Sequence, residues 1–77
     1  MSFNNIVVVG LGYIGLPTAA MFASKNKQVI GVDIKQSTID TINAGRIHIV
    51  EPGLQSIVRN AVARGYLRAT DSLEQAD

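Results

Sequence analysis

The sequence predicts an α/β fold of the doubly wound type, with a parallel sheet flanked by helices. Three observations carry that expectation. A short apolar β-branched run, Ile6-Val7-Val8-Val9, ends in glycines spaced G-x-G-x-x-G at Gly10, Gly12 and Gly15. A helical pattern follows, and then a second apolar run closes on Asp33. Strand, glycine turn, helix and strand in about 30 residues make up a βαβ unit, the setting in which such a glycine spacing has meaning.

Ile6 to Val9 suits a strand buried on both faces, as parallel strands usually are. Gly10 to Gly15 is the turn. A helix is expected from about Tyr13 or Ile14 to Ser24, with Leu16, Ala19, Ala20 and Ala23 on one face. Pro17 fits only in its first turn, where backbone N–H groups have no intrahelical partner. Lys25-Asn26-Lys27 ends the helix with cations where its dipole favours them. Gln28 to Asp33 is the second strand, and a right-handed crossover places the helix over one face of the sheet.

Lys35 to Ala44 reads as a short helix with Ile39 and Ile42 on one side and Gly45 as its stop. A connection from Arg46 to Glu51 leads to Pro52-Gly53. An amphipathic helix opens there, with Leu54, Ile57, Val58, Ala61 and Val62 as its core stripe. Arg64 falls in its last turn and Gly65 ends it. Tyr66 to Thr70 is a third strand, and Asp71-Ser72-Leu73-Glu74 carries a helix-start signal. A doubly wound sheet needs a fourth strand beside the first, and no stretch supplies one. Residues 1–77 are therefore expected to form the N-terminal part of a larger Rossmann-type domain, incomplete at its first three strands.

Composition excludes several functions. Hydrophobic residues make up 47% and charged residues 17%, a globular balance. Net charge is +1 and the basic residues are scattered, so nothing supports nucleic-acid binding. The absence of cysteine and the single histidine, His48, exclude a thiolate or multi-histidine metal site. Residues 6–22 are uncharged, but no Lys or Arg precedes them as a signal peptide requires. The stretch is also shorter than the ~20 residues of a spanning helix, and glycines and Pro17 interrupt it. A cytoplasmic protein without membrane attachment is expected.

The glycine turn points to a dinucleotide. Gly10 permits the tight turn, Gly12 admits a pyrophosphate close to the backbone, and Gly15 lets the helix pack against the sheet. The helix N-terminus attracts the anion. Asp33 stands where a carboxylate would accept hydrogen bonds from the adenosine ribose. Its charge disfavours a 2′-phosphate and so selects NAD over NADP, although Lys35 nearby offsets part of that repulsion. Tyr13 and Ile14 have two readings: packing at the helix start, or backbone N–H groups on the pyrophosphate with Tyr13 flanking the cofactor. His48 reads as a loop residue, Glu51 as an acid at a helix N-terminus, and Arg59, Arg64 and Arg68 as a solvated face.

Several stretches together resemble the UDP-glucose/GDP-mannose dehydrogenase family. They are Val9-Gly10-Leu11-Gly12-Tyr13-Ile14-Gly15-Leu16-Pro17 with Ala19-Ala20, Ile30-Gly31-Val32-Asp33, Ile42-Asn43-Ala44-Gly45, and Glu51-Pro52-Gly53-Leu54. The resemblance implies an enzyme that oxidises a UDP-sugar C6 alcohol to a carboxylate with two NAD per turnover, working as a homodimer when full length. The cysteine nucleophile and assisting lysine of that family have no counterpart here, since Lys25, Lys27 and Lys35 match no catalytic motif. What carries over is cofactor binding by Gly10, Gly12, Tyr13, Ile14, Gly15 and Asp33. The UDP-sugar site is expected outside the 77 residues, which alone would be catalytically inert; the alternatives are another NAD-dependent dehydrogenase on the same fold, acting on UDP-glucose or a hydroxy acid, or a non-catalytic NAD-sensing module.

Overall fold

A computed structural model describes residues 5–72. Along the chain run β1 (Asn5–Val9), α1 (Gly15–Ser24), β2 (Gln28–Val32), α2 (Gln36–Asn43), α3 (Leu54–Ala63) and β3 (Leu67–Thr70). The strands form one parallel sheet in the order β1-β2-β3. The three expected strands and three expected helices up to Thr70 are present: β1 begins one residue earlier than expected, at Asn5, and the others are shorter by one or two residues. The helix-start signal at Asp71-Ser72 continues into Leu73 and Glu74, outside the described residues.

Both crossovers step the same way across the sheet, so right-handed connections bring the helices to one face. The register fixes which side chains meet them. Ile6, Val29 and Leu67 form one cross-strand row, and Val8, Gly31 and Ala69 the next. These rows pack into the core with Leu16, Ala19, Ala20 and Ala23 of α1, Ile39 and Ile42 of α2, and Leu54, Val58 and Ala61 of α3. Leu16, Ile42 and Val58 are fully buried, and each contributes about 1.5–3 kcal/mol from apolar surface removed from water. Three alanines on α1 let its backbone lie close to the sheet.

Two expectations need correcting. The first strand is not buried on both faces: Val7 and Val9 are 44% and 70% exposed. They alternate with Ile6 and Val8, which pack on the core, and so lie on the face opposite the helices. Ile57 is not core either, at 40% exposure. It lies on the flank of the α3 stripe, at the rim of a hollow of about 200 Å³ shared with Asn26, Asn60, Arg64 and Tyr66. Val62, on the other flank, is half-buried against the core.

Each helix stops at a residue in the left-handed region. Asn26 (φ 64°), Gly45 (φ 79°) and Gly65 (φ 80°) donate their N–H groups to Ala23, Ile42 and Val62 carbonyls at 3.0, 2.9 and 3.1 Å. Such closures satisfy helix-end carbonyls and turn the chain back toward the sheet. Among the described residues no helix is long and apolar enough to cross a membrane.

Candidate functional site

The site lies at the C-terminal ends of the strands, where a parallel α/β sheet places its ligands. Gly10 leaves β1 at φ +87° and donates its N–H to the Val32 carbonyl at 2.7 Å. That bond continues the sheet for one residue, and the positive φ then sends the chain upward. L-residues with a side chain avoid this conformation.

The next glycines serve different needs. A Cβ on Gly12 would meet nothing within 4 Å. Its backbone faces open space, which a bound group could approach without a side chain intervening. A Cβ on Gly15 would collide with the Gly10 carbonyl. Gly15 therefore allows the start of α1 to sit against the end of β1, which is the close helix packing expected of the third glycine.

Above this turn runs an open groove of about 580 Å³, lined by Val9, Gly10, Gly12, Tyr13, Gly15 and Thr18 among others. Ile14 precedes α1 as its N-cap and has no side-chain oxygen to cap with. No carbonyl among the described residues accepts from the N–H groups of Gly12, Tyr13, Ile14 or Gly15. Four donors thus stand at the positive end of a ten-residue helix, an arrangement suited to an anion. Thr18 spends its hydroxyl on the Ile14 carbonyl at 2.8 Å, within the helix. The Tyr13 and Ile14 side chains are both exposed, at 77% and 83%. Packing at the helix start is thus set aside for both residues, and both line the groove.

Asp33 stands just past β2, beside this groove. Its Oδ2 accepts the Leu11 N–H at 2.9 Å and its Oδ1 accepts the Lys35 N–H at 3.0 Å. The Leu11 bond, then the Lys35 bond, hold the carboxyl below the usual carboxylate range against a smaller upward push from burial. Asp33 is therefore an ionised acceptor at neutral pH. Each carboxylate oxygen still has a lone pair for an outside hydroxyl. Exposed His48 adds a small favourable field at Asp33 without joining the turn.

The structure thus brings Gly10, Gly12, Tyr13, Ile14, Gly15 and Asp33 together at one end of the sheet. Sequence reasoning missed Leu11, whose N–H joins the turn to Asp33 and whose side chain is buried at 1% exposure. An apolar residue between the first two glycines was the available signal. Gly31 was also missed as a site residue: a Cβ there would run into the Leu11 side chain.

The shape of the groove and its residues fit a dinucleotide: a cleared backbone, free N–H donors at a helix N-terminus and an ionised carboxylate one strand away. Comparisons with known proteins agree. Over all 77 residues the chain is 65% identical to UDP-N-acetyl-D-mannosamine dehydrogenases of Salmonella typhi and Escherichia coli K12, covering 18% of each. It is 64% identical to an NDP-N-acetyl-D-galactosaminuronic acid dehydrogenase of Ralstonia nicotianae, again over 18% of that protein. Among solved structures, GDP-mannose dehydrogenase of Pseudomonas aeruginosa in a ternary complex superposes with TM-score 0.90 at 38% identity, over 92% of this chain and 16% of the other. UDP-N-acetyl-mannosamine dehydrogenase of Staphylococcus aureus superposes with TM-score 0.85 at 48% identity, over 88% and 16%. The chain spans less than a fifth of the relatives it matches. Residues 4–77 match the NAD binding domain of the UDP-glucose/GDP-mannose dehydrogenase family, and the chain belongs to that family.

Proposed function

We propose that residues 1–77 are the N-terminal part of the NAD-binding domain of a UDP-N-acetyl-D-mannosamine 6-dehydrogenase. The whole enzyme would oxidise the C6 alcohol of its UDP-sugar to a carboxylate for bacterial surface-polysaccharide precursors. It would act in the cytoplasm, as a homodimer, with its UDP-sugar site outside these residues. The observation that carries the reading is the pairing of the open groove over Gly12 with ionised Asp33 at its side.

In this reading the N–H groups of Gly12, Tyr13, Ile14 and Gly15 hold the pyrophosphate, and Asp33 accepts the adenosine ribose hydroxyls. Gly10 shapes the turn, and Tyr13 flanks the cofactor. NAD, when bound, supplies a hydride acceptor. The chain's own residues bind and orient it, and none of them is placed to perform the oxidation. The 77 residues alone are expected to be inactive.

The identity to an NDP-N-acetyl-D-galactosaminuronic acid dehydrogenase favours a second reading, in which the sugar is the galacto isomer. The 77 residues match the NAD binding domain and so serve both readings alike. Assaying NAD reduction by the full-length protein with each UDP-N-acetylhexosamine separates them. Turnover with neither sugar would defeat both readings and leave an NAD-binding module without this chemistry. The binding half is tested by Asp33→Ala. NAD affinity should fall about tenfold or more, the loss of charge-assisted hydrogen bonds, with the circular-dichroism spectrum intact. Unchanged affinity would remove Asp33 from the site.

A further inference from the structure

Leu11 occupies the fingerprint position to which the dinucleotide motif assigns no task. Here it carries more of the turn than its neighbours do. Of the three side chains between Gly10 and Gly15, Leu11 alone is buried; Tyr13 and Ile14 stand in solvent. Its side chain fills the place in the middle row of the sheet where β2 offers only Gly31, between Val8 and Ala69.

A Cβ on Gly31 would stand 2.5 Å from Leu11 Cδ2, 2.7 Å from Cδ1 and 3.1 Å from Cγ. These are its three nearest atoms, all from one residue. The Leu11 side chain and a side chain at position 31 therefore compete for a single space. The backbone of Leu11 is held as well, since its N–H is bonded to Asp33 Oδ2 at 2.9 Å. The second strand thus grips this residue twice, through a missing Cβ at Gly31 and a carboxylate at Asp33.

We infer that Leu11 is a positioning residue for the pyrophosphate turn, seated by Gly31 and Asp33 so that the free N–H groups from Gly12 onward stand ready for the anion. The inference rests on the NAD reading above. It gives Asp33 a second duty beside the ribose and gives Gly31 a role in cofactor affinity, although Gly31 is buried against the core. The sheet interior, through Leu11, sets the height of the anion cradle.

The test is a set of NAD titrations on the full-length protein carrying Gly31→Ala, Leu11→Ala or both. Gly31→Ala should push Leu11 out and displace the turn, weakening NAD about tenfold or more, since displacements near 1 Å at a positioned site cost on that scale or above. Leu11→Ala leaves the turn unseated and should also weaken NAD. In the double variant the new methyl group occupies the space Leu11 has vacated. Affinity should then lie within about threefold of Leu11→Ala alone, because residues sharing one space do not contribute additively.

The KM for NAD should rise in the single variants while the KM for the UDP-sugar stays within about twofold, a split that a general loss of packing would not produce. Additive losses in the double variant would overturn the inference, as would wild-type affinity in Gly31→Ala or in Leu11→Ala. Should Gly31→Ala fail to fold, the double variant must regain folding and bind NAD as Leu11→Ala does, and its failure to do so counts against the shared space. A wild-type protein that binds no NAD defeats the underlying reading together with the inference. A wild-type protein that binds well beside variants that bind equally well defeats the inference alone.

Discussion

The two edges of the sheet are built on opposite plans. At the β3 edge, Asn43 at the end of α2 turns its side-chain amide onto the strand. Its Nδ2 donates to the Ala69 carbonyl at 3.0 Å and its Oδ1 accepts the Ala69 N–H at 2.8 Å. One side chain makes the two bonds a neighbouring strand would make. The strand it guards is four residues long and carries Arg68, exposed, and short charged strands are how proteins blunt an edge. Among the described residues the β1 edge has none of these devices. It is an uncharged valine run whose Val7 and Val9 face solvent. β3 is composed as an edge strand and β1 as an interior one, and the groove over the glycine turn adjoins the strand composed for a neighbour.

The largest effect should come from breaking the guarded edge. Asn43→Leu removes both bonds and leaves the Ala69 N–H and carbonyl without these partners, which should cost about 2–6 kcal/mol at 1–3 kcal/mol per orphaned group. A shift in the urea midpoint reads it directly. A loss below about 1 kcal/mol would mean that the amide is replaceable by solvent. Asn43→Asp keeps the acceptor for the Ala69 N–H and loses only the donor. It should cost about half as much, roughly 1–3 kcal/mol.

At the open edge the stability change should be small and the association change visible. Val7→Lys replaces a solvent-facing apolar group and should alter unfolding free energy by under about 0.5 kcal/mol. It should also lower any self-association of the 77-residue chain measured by sedimentation, because lysine disfavours edge-to-edge pairing. If the unsubstituted chain stays monomeric at high concentration, the contrast between the edges has no consequence in solution.

The smallest effect concerns pH. The Asp33 carboxyl is held below its ordinary value in the folded chain. Its contribution to stability is therefore complete above the unfolded value near ~3.9 and is lost as pH falls through the lower folded value. Asp33→Asn should flatten the acid limb of a stability–pH curve. An identical acid limb would show that the Leu11 and Lys35 amides do not stabilise the charge.

Local pattern accounts for most of what could be read beforehand. The faces of α1 and α2 followed from helical spacing because their apolar residues are few and well separated. The glycine turn and Asp33 followed because both motifs are short in sequence. The exposure of Val7 and Val9 could not be read from a run of β-branched residues, which looks the same whether one face is covered or two. Ile57 differs from Val58 by one position on the helix, and only the place of α1 beside α3 decides which of them is buried. The Leu11–Gly31 space joins two residues that are neighbours only once β1 and β2 have paired. Asn43 likewise reads as an ordinary helix-end residue until β3 is placed against it.

Two polar clasps therefore hold the two crossovers: Leu11 to Asp33 across 22 residues, and Asn43 to Ala69 across 26. The entropy of closing a loop grows only with the logarithm of its length, about 0.6 kcal/mol per doubling, so the two closures cost nearly the same. In folding, neither crossover has a topological head start, and each waits on a non-local parallel pairing, which slows a small domain. The order of events is then set by side-chain burial. Truncating Ile42, between β2 and β3, and Leu16, between β1 and β2, should slow refolding unequally, and the slower variant marks the crossover that forms first.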